Sequence, residues 1–351
     1  MIRPWVRVRE VLSKLAVWRR IRAPLTAGWS AGRFPSALRT GAFRRQRDFF
    51  LYVPVTVAGR DRVPLLVMLH GCNQDALSFA QGSRMNELAE EQRFLVLYPQ
   101  QSLSANPLRC WNWFERRNRH GAGEPAAIAA LVRDITRRYP VDGSRVYLAG
   151  MSAGGAMTAV LAICYGTLFG ACAIVSGLMY RAADSALAAV QAMRSGARAS
   201  PESTADEAAR ELSRKAQFVP ALIVHGTNDS VVHPRNAEQI VGQFRQFAER
   251  LGMAAAPTAD AVEPRTGSDG RSYLQRDYAT SNQLLLRSIL IEGLGHAWSG
   301  GDERYKFNDA AAPDASRLIW DFVSKFRRSA PGRRPTVRLW PRYLSRLLRN
   351  S

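Results

Sequence analysis

Arg145-Val146-Tyr147-Leu148-Ala149-Gly150-Met151-Ser152-Ala153-Gly154-Gly155 reads as a β-strand that breaks into a helix through a Gly-x-Ser-x-Gly turn. The residues before the turn are β-branched, aromatic or aliphatic, and Ala156 to Ala162 after it are good helix formers. The chain must reverse within a few residues while holding Ser152 at the tip. A side chain at position 150 or 154 would collide with the adjoining strand or helix. Five-residue matches arise by chance, and a glycine-rich loop around a structural serine is the plainer alternative. The flanking strand and helix favour Ser152 as a nucleophile.

A serine hydroxyl needs a base, and the base needs an orienting acid. In folds built around such a turn the chain order is serine, acid, histidine, each on a loop after a strand. Ala221-Leu222-Ile223-Val224-His225-Gly226 is an apolar strand followed by the polar Thr227-Asn228-Asp229. Ser288-Ile289-Leu290-Ile291 is a second, followed by Glu292-Gly293-Leu294-Gly295-His296. Asp229 and His296 therefore occupy the acid and base positions. The chain has five histidines. His233 would share a loop with Asp229, His225 ends an apolar strand, His120 sits in an arginine-rich loop, and His70 precedes the serine. Asp302 follows the histidine and breaks the order.

Ester attack builds negative charge on the carbonyl oxygen, which backbone N–H groups stabilise. One donor comes from the residue after the nucleophile, Ala153; the other comes from the loop after an early strand. Val63 to Leu69 is that strand and His70-Gly71-Cys72-Asn73-Gln74 the loop, with Cys72 as the backbone donor.

Strand-like runs at 48–53, 63–69, 94–98, 145–149, 173–176, 221–225 and 288–291 alternate with helical stretches. That alternation predicts an α/β fold, a mostly parallel sheet with helices on both faces. Residues 46–328 form the expected catalytic domain, closed by a helix over 315–326 that puts Leu318, Ile319, Phe322, Val323 and Phe326 on one side. Residues 181–217 are polar, alanine-rich and weakly periodic, and read as an insertion over the strand tops that helps shape the acyl pocket, with a long surface excursion as the alternative. No transmembrane segment or internal repeat is evident.

Leu69-His70-Gly71-Cys72, Cys110-Trp111-Asn112-Trp113-Phe114, Gly150 to Gly155 and Gly295-His296-Ala297-Trp298-Ser299-Gly300-Gly301 together resemble the esterases related to poly(3-hydroxybutyrate) depolymerases, within the α/β-hydrolase superfamily. The resemblance spans about 48–328. It implies Ser152 as nucleophile, Asp229 as acid, His296 as base, Cys72 with Ala153 as oxyanion donors, and no cofactor. It also implies ester substrates: hydroxyalkanoate polymers or oligomers, with short acyl, feruloyl and acetyl esters as relatives. It places the aromatic segment beside the oxyanion loop, so Trp111 and Trp113, faced by Trp298, are expected to form a substrate wall; packing of the loop onto the domain is the alternative. Secreted depolymerases carry a binding domain and a signal peptide. Residues 1–40 contain arginines throughout and no uninterrupted apolar run of the length a signal peptide's apolar region needs. An extracellular site follows from the resemblance, and a cytoplasmic, granule-associated one from that absence.

The net charge of +20 lies in two tails. Residues 1–50 hold 12 basic and 2 acidic residues and 325–351 hold 9 basic and none, which leaves the middle near neutral. Residues 1–45 and 329–351 are thus read as basic tails. Trp5, Val8, Leu12 and Leu15, and Tyr343, Leu344, Leu347 and Leu348, make apolar stripes of basic amphipathic helices. Such helices suit an anionic membrane or polymer-granule surface; solvated tails are the plain alternative. Neither tail resembles a nucleic-acid reading module, so a nucleic-acid partner is not expected. A tail-docked binding protein without catalysis is the competing class, disfavoured by the intact Ser152, Asp229 and His296 set. No His/Cys/Asp cluster has metal-ligand spacing, and no metal is expected. Of the four cysteines, Cys164 and Cys172 read as buried thiols. A bridge between Cys72 and Cys110 would tie the oxyanion loop to the Trp111–Trp113 segment, whereas a reducing compartment would keep both free.

Overall fold

The structure, a computed structural model, describes residues 27–40, 43–57, 62–212, 216–253, 256–257, 263–266 and 271–328. Both amphipathic stripes proposed for the tails lie outside these residues. The strands are β1 (Gly28–Thr40), β2 (Phe43–Val53), β3 (Val63–Leu69), β4 (Leu95–Pro99), β5 (Val141–Met151), β6 (Ala171–Val175), β7 (Ala221–Gly226), β8 (Ala256–Pro257), β9 (Glu263–Thr266), β10 (Ser272–Thr280), β11 (Gln283–Ile291), β12 (Trp298–Ser299) and β13 (Asn308–Asp309). The main sheet runs β1-β2-β4-β3-β5-β6-β7-β11-β10-β8, with β9 against β10. Its centre, from β4 through β11, is parallel, and antiparallel strands flank it on both sides.

The central strands read as continuous apolar runs because both their faces are covered. Along β3, Leu65, Val67 and Leu69 enter one core, while Leu66 and Met68 enter the other. The first core is roofed by α4 (Glu124–Arg138), α5 (Ala153–Cys164) and α8 (Arg235–Arg250). The second is roofed by α1 (Ala76–Gly82), α2 (Met85–Gln92) and α9 (Ala315–Val323). This is the α/β-hydrolase architecture, and it settles the fold class. A one-turn helix, α3 (Arg116–Arg119), precedes α4.

Three segments differ from the sequence reading. Residues 28–40, assigned there to the basic tail, form the edge strand β1 against β2. The strand at 288–291 begins already at Gln283, and β10 pairs with it through a tight turn. The insertion at 181–217 folds into α6 (Ala186–Ser195) and α7 (Pro201–Leu212), the latter with Ala205 and Ala208 buried.

Candidate active site

Parallel strands all end at one edge of the sheet, where the loops are free to carry chemistry. Ser152 follows β5, Asp229 follows β7 and His296 follows β11, so the three meet that edge within four neighbouring strands. The elbow is a strained turn: Ser152 adopts φ +57° and ψ −120°, a region a residue with a side chain enters only when its surroundings hold it there. Its N–H donates to Val175 O at 2.9 Å, and its carbonyl accepts Ala156 N–H at 2.9 Å. A Cβ on Gly154 would lie 2.1 Å from Leu69 O and 2.6 Å from His70 O. Only glycine lets α5 start this close to β3.

His296 and Asp229 form the acid–base pair. The imidazole Nδ1–H donates to Asp229 Oδ2 at 2.8 Å, which leaves Nε2 as the proton acceptor. Asp229 Oδ1 accepts the N–H groups of Val231 at 3.0 Å and Val232 at 2.8 Å. Burial raises the Asp229 pKa, but the bond to His296, its charge and the Val232 N–H outweigh burial and hold it below the ordinary carboxylate value. The two loops are also stitched together, Asn228 N–H to Leu294 O at 3.0 Å and Gly293 N–H to Thr227 Oγ1 at 2.9 Å.

The loop after β3 sits against the elbow. A Cβ on Gly71 would approach Ser152 Cβ to 3.3 Å. Gly71 N–H is taken by Gln74 Oε1 at 2.8 Å, and Asn73 N–H by Leu108 O at 2.7 Å. The N–H groups on either side of Cys72 are therefore committed. Ala153 is the first residue of α5, where an N–H has no carbonyl partner within its helix. A disulfide joins Cys72 to Cys110. His70, fully buried, donates from Nδ1 to Gly71 O at 2.8 Å and accepts Gln101 N–H at Nε2 at 3.1 Å. Burial pushes its pKa down to about 4; it braces the loop as a neutral ring.

The tryptophans correct the sequence expectation. Trp111 and Trp298 have no exposed surface and Trp113 almost none, so these rings pack the loops and do not line a substrate wall. Trp111 Nε1–H donates to His70 O at 3.1 Å. Trp298 donates to Ser316 Oγ at 3.1 Å and meets Phe79 edge-on. The indole N–H groups of Trp111 and Trp298 find partners inside, which lets such large rings be buried whole.

The other histidines have different surroundings. His225 is fully buried, with Nε2 at 2.7 Å from Val232 O and a pKa lowered by burial. His233 Nδ1 accepts Arg235 N–H at 3.1 Å. His120 meets Arg181 at 3.0 Å and Glu211 at 3.3 Å. Asp302 pairs with Arg304 at 2.6 Å.

Several site residues escape the sequence reading. Glu124 is buried and gathers Arg47 at 3.0 Å, Gln101 Nε2 at 2.7 Å, Asn112 N–H at 2.8 Å and Asn112 Nδ2 at 3.0 Å. It thereby holds the segment that carries Cys110 and Trp111. Phe307 lies beside His296, with ring centroids 6.1 Å apart at 78°. The polar partners of Glu124 are scattered along the chain, and nothing in Tyr305-Lys306-Phe307-Asn308 signals its position. Neither could be read in advance.

Known proteins agree with this architecture. The family described as Esterase PHB depolymerase matches residues 47–266. A poly(3-hydroxyalkanoate) depolymerase C of Paucimonas lemoignei is 35% identical over 252 residues, covering 71% of this chain and 58% of that protein. A feruloyl esterase B of Neurospora crassa is 29% identical, covering 70% of this chain and 82% of that one. Among solved structures, an acetyl xylan esterase from Aspergillus awamori matches with a TM-score of 0.59 at 22% identity, covering 76% of this chain and 94% of that chain; this likeness concerns the fold. The family match spans more than half of the sequence, and the chain belongs to the esterase PHB depolymerase family, esterases built on the α/β-hydrolase fold.

Proposed function

We propose that the protein is a serine esterase that hydrolyses carboxylic esters through an acyl-enzyme, with hydroxyalkanoate esters of the 3-hydroxybutyrate type as substrates. The observation that carries this reading is the His296–Asp229 pair, its acid fixed by two backbone N–H groups, at the sheet edge that bears the strained Ser152. His296 Nε2 takes the proton as Ser152 Oγ attacks the ester carbonyl. The N–H groups of Cys72 and Ala153 receive the oxyanion. The acyl carbon–oxygen bond then breaks, and His296 returns its proton to the departing alkoxide. Water, deprotonated by the same nitrogen, releases the acid and restores the serine. The higher identity to the depolymerase supports hydroxyalkanoate substrates. The feruloyl and acetylxylan esterase relatives support a second reading, short-chain, feruloyl or acetyl esters.

A fluorophosphonate probe is expected to label the wild type and not Ser152→Ala. That substitution is expected to lower kcat on the order of 10⁶-fold, since triad members act as a unit. Near-normal turnover in Ser152→Ala, or a wild type that resists the probe, would return the chain to a non-catalytic docking role. Comparing hydroxybutyrate oligomers, short p-nitrophenyl esters and methyl ferulate decides between the two substrate readings.

A further inference from the structure

Phe307 is a bulky residue held at φ +63°, where only glycine is at ease. Strain of this kind persists when surrounding contacts over-determine it, and here they do. Trp298 N–H donates to Phe307 O at 2.8 Å, and β12 pairs with β13 immediately after Phe307. Gln74 Nε2 donates to Lys306 O at 3.2 Å, while Oε1 of the same side chain accepts Gly71 N–H. One glutamine therefore ties the 306–307 backbone to the loop beside Ser152. Asn308 Nδ2 adds bonds to Tyr305 O and Lys306 O, each at 3.1 Å. All this bonding converges on one outcome: a half-buried phenyl ring, edge-on to the imidazole of His296.

The chemistry of the base says what such a ring touches. A general acid must come within hydrogen-bond reach of the atom it protonates. In ester cleavage that atom is the oxygen of the departing alcohol. A side chain on the Nε2 side of the imidazole therefore flanks the carbinol carbon of the alcohol. We propose, on the serine-esterase reading above, that Phe307 flanks this nitrogen and is a specificity-determining residue of an alcohol subsite. It favours leaving alcohols that carry an apolar substituent on the carbinol carbon, as a 3-hydroxybutyrate unit carries its methyl group. Phe307 packs on the core below, which steadies the ring, and in this subsite its open part would meet the substituent.

Acyl-enzyme partitioning isolates this subsite. The full chain is acylated with p-nitrophenyl butyrate, and the butyryl-enzyme is offered methanol or methyl 3-hydroxybutyrate as acceptor. By microscopic reversibility the attacking alcohol occupies the place of the leaving one. The wild type is expected to prefer methyl 3-hydroxybutyrate, and Phe307→Ala to lower that preference about tenfold, the scale of one lost apolar contact in a pocket. The readout is a ratio, so a general loss of activity cancels. Phe307→Gly relieves the positive φ while also removing the ring, and is expected to shift the ratio as Phe307→Ala does; Phe307→Leu is expected to retain part of the preference. An unchanged ratio in a fluorophosphonate-reactive Phe307→Ala or Phe307→Gly overturns the alcohol subsite alone. A wild type that the probe does not label overturns it together with the esterase reading.

Discussion

His70 shows how one buried side chain ties stability to pH. Its ring is neutral in the fold, since Nε2 accepts a backbone N–H and burial holds the pKa near 4. In the unfolded chain the same ring titrates near 6.5. Between these values the unfolded state binds the extra proton, so protonation favours unfolding. The contribution is complete above about pH 6.5 and is lost as pH falls towards 4, to a total of roughly 3 kcal/mol. Urea denaturation from pH 7.5 to 4.5 is expected to show a shallower pH dependence in His70→Gln than in the wild type. Some dependence remains in the variant, because the pKa of His225 is also lowered by burial. Identical slopes would remove His70 from the account. At this scale the sequence was readable where a residue's chemistry is bound to its local context. The Ser152 elbow and the polar loops bearing Asp229 and His296 announce themselves through adjoining strands. The tryptophans did not, since an aromatic residue looks the same in sequence whether it faces a cleft or a core, and only its burial in the folded chain tells the two apart.

Elements were legible in proportion to their burial. The strands β3 and β7 start where their apolar runs start, because both faces of each are covered. By contrast β10, at the flank of the sheet, is half-buried almost throughout, with only Gln275 buried and only Arg276 exposed, and its composition resembles a loop. The joints between elements were harder still. Glu124, the first residue of α4, bonds to Arg47 on β2, to Gln101 after β4 and to Asn112, partners brought together only by the folded sheet. Both Arg47 and Glu124 are 4% exposed, so removing the carboxylate leaves a guanidinium buried without its counter-charge. Glu124→Ala is expected to cost about 3–5 kcal/mol in denaturant unfolding, the scale of a broken buried pair. Adding Arg47→Met is expected to recover part of that loss. A cost below about 1 kcal/mol for Glu124→Ala would show that the 110–112 segment is held by the disulfide and Trp111 instead.

Across the whole molecule, charge and catalysis are separated along the chain. Every residue assigned a role in the proposed reaction lies between 70 and 307, a stretch in which acidic and basic residues nearly balance. Residues 1–26 hold seven basic residues and one acidic residue, and 329–351 hold six basic residues and no acidic one. We propose that these segments bring the enzyme to an anionic surface while contributing nothing to bond cleavage. A basic residue near such a surface contributes on the order of 1 kcal/mol, and salt screens the attraction. The full chain is therefore expected to sediment with vesicles containing phosphatidylglycerol at low ionic strength and to release them as salt rises. It is expected to ignore vesicles of phosphatidylcholine alone. A chain of residues 27–328 keeps β1 and the closing helix α9, so it is expected to hydrolyse soluble p-nitrophenyl butyrate at a near wild-type rate while losing vesicle binding. If the shortened chain binds anionic vesicles as tightly as the full one, the attraction resides in the folded domain and the tails have no part in it.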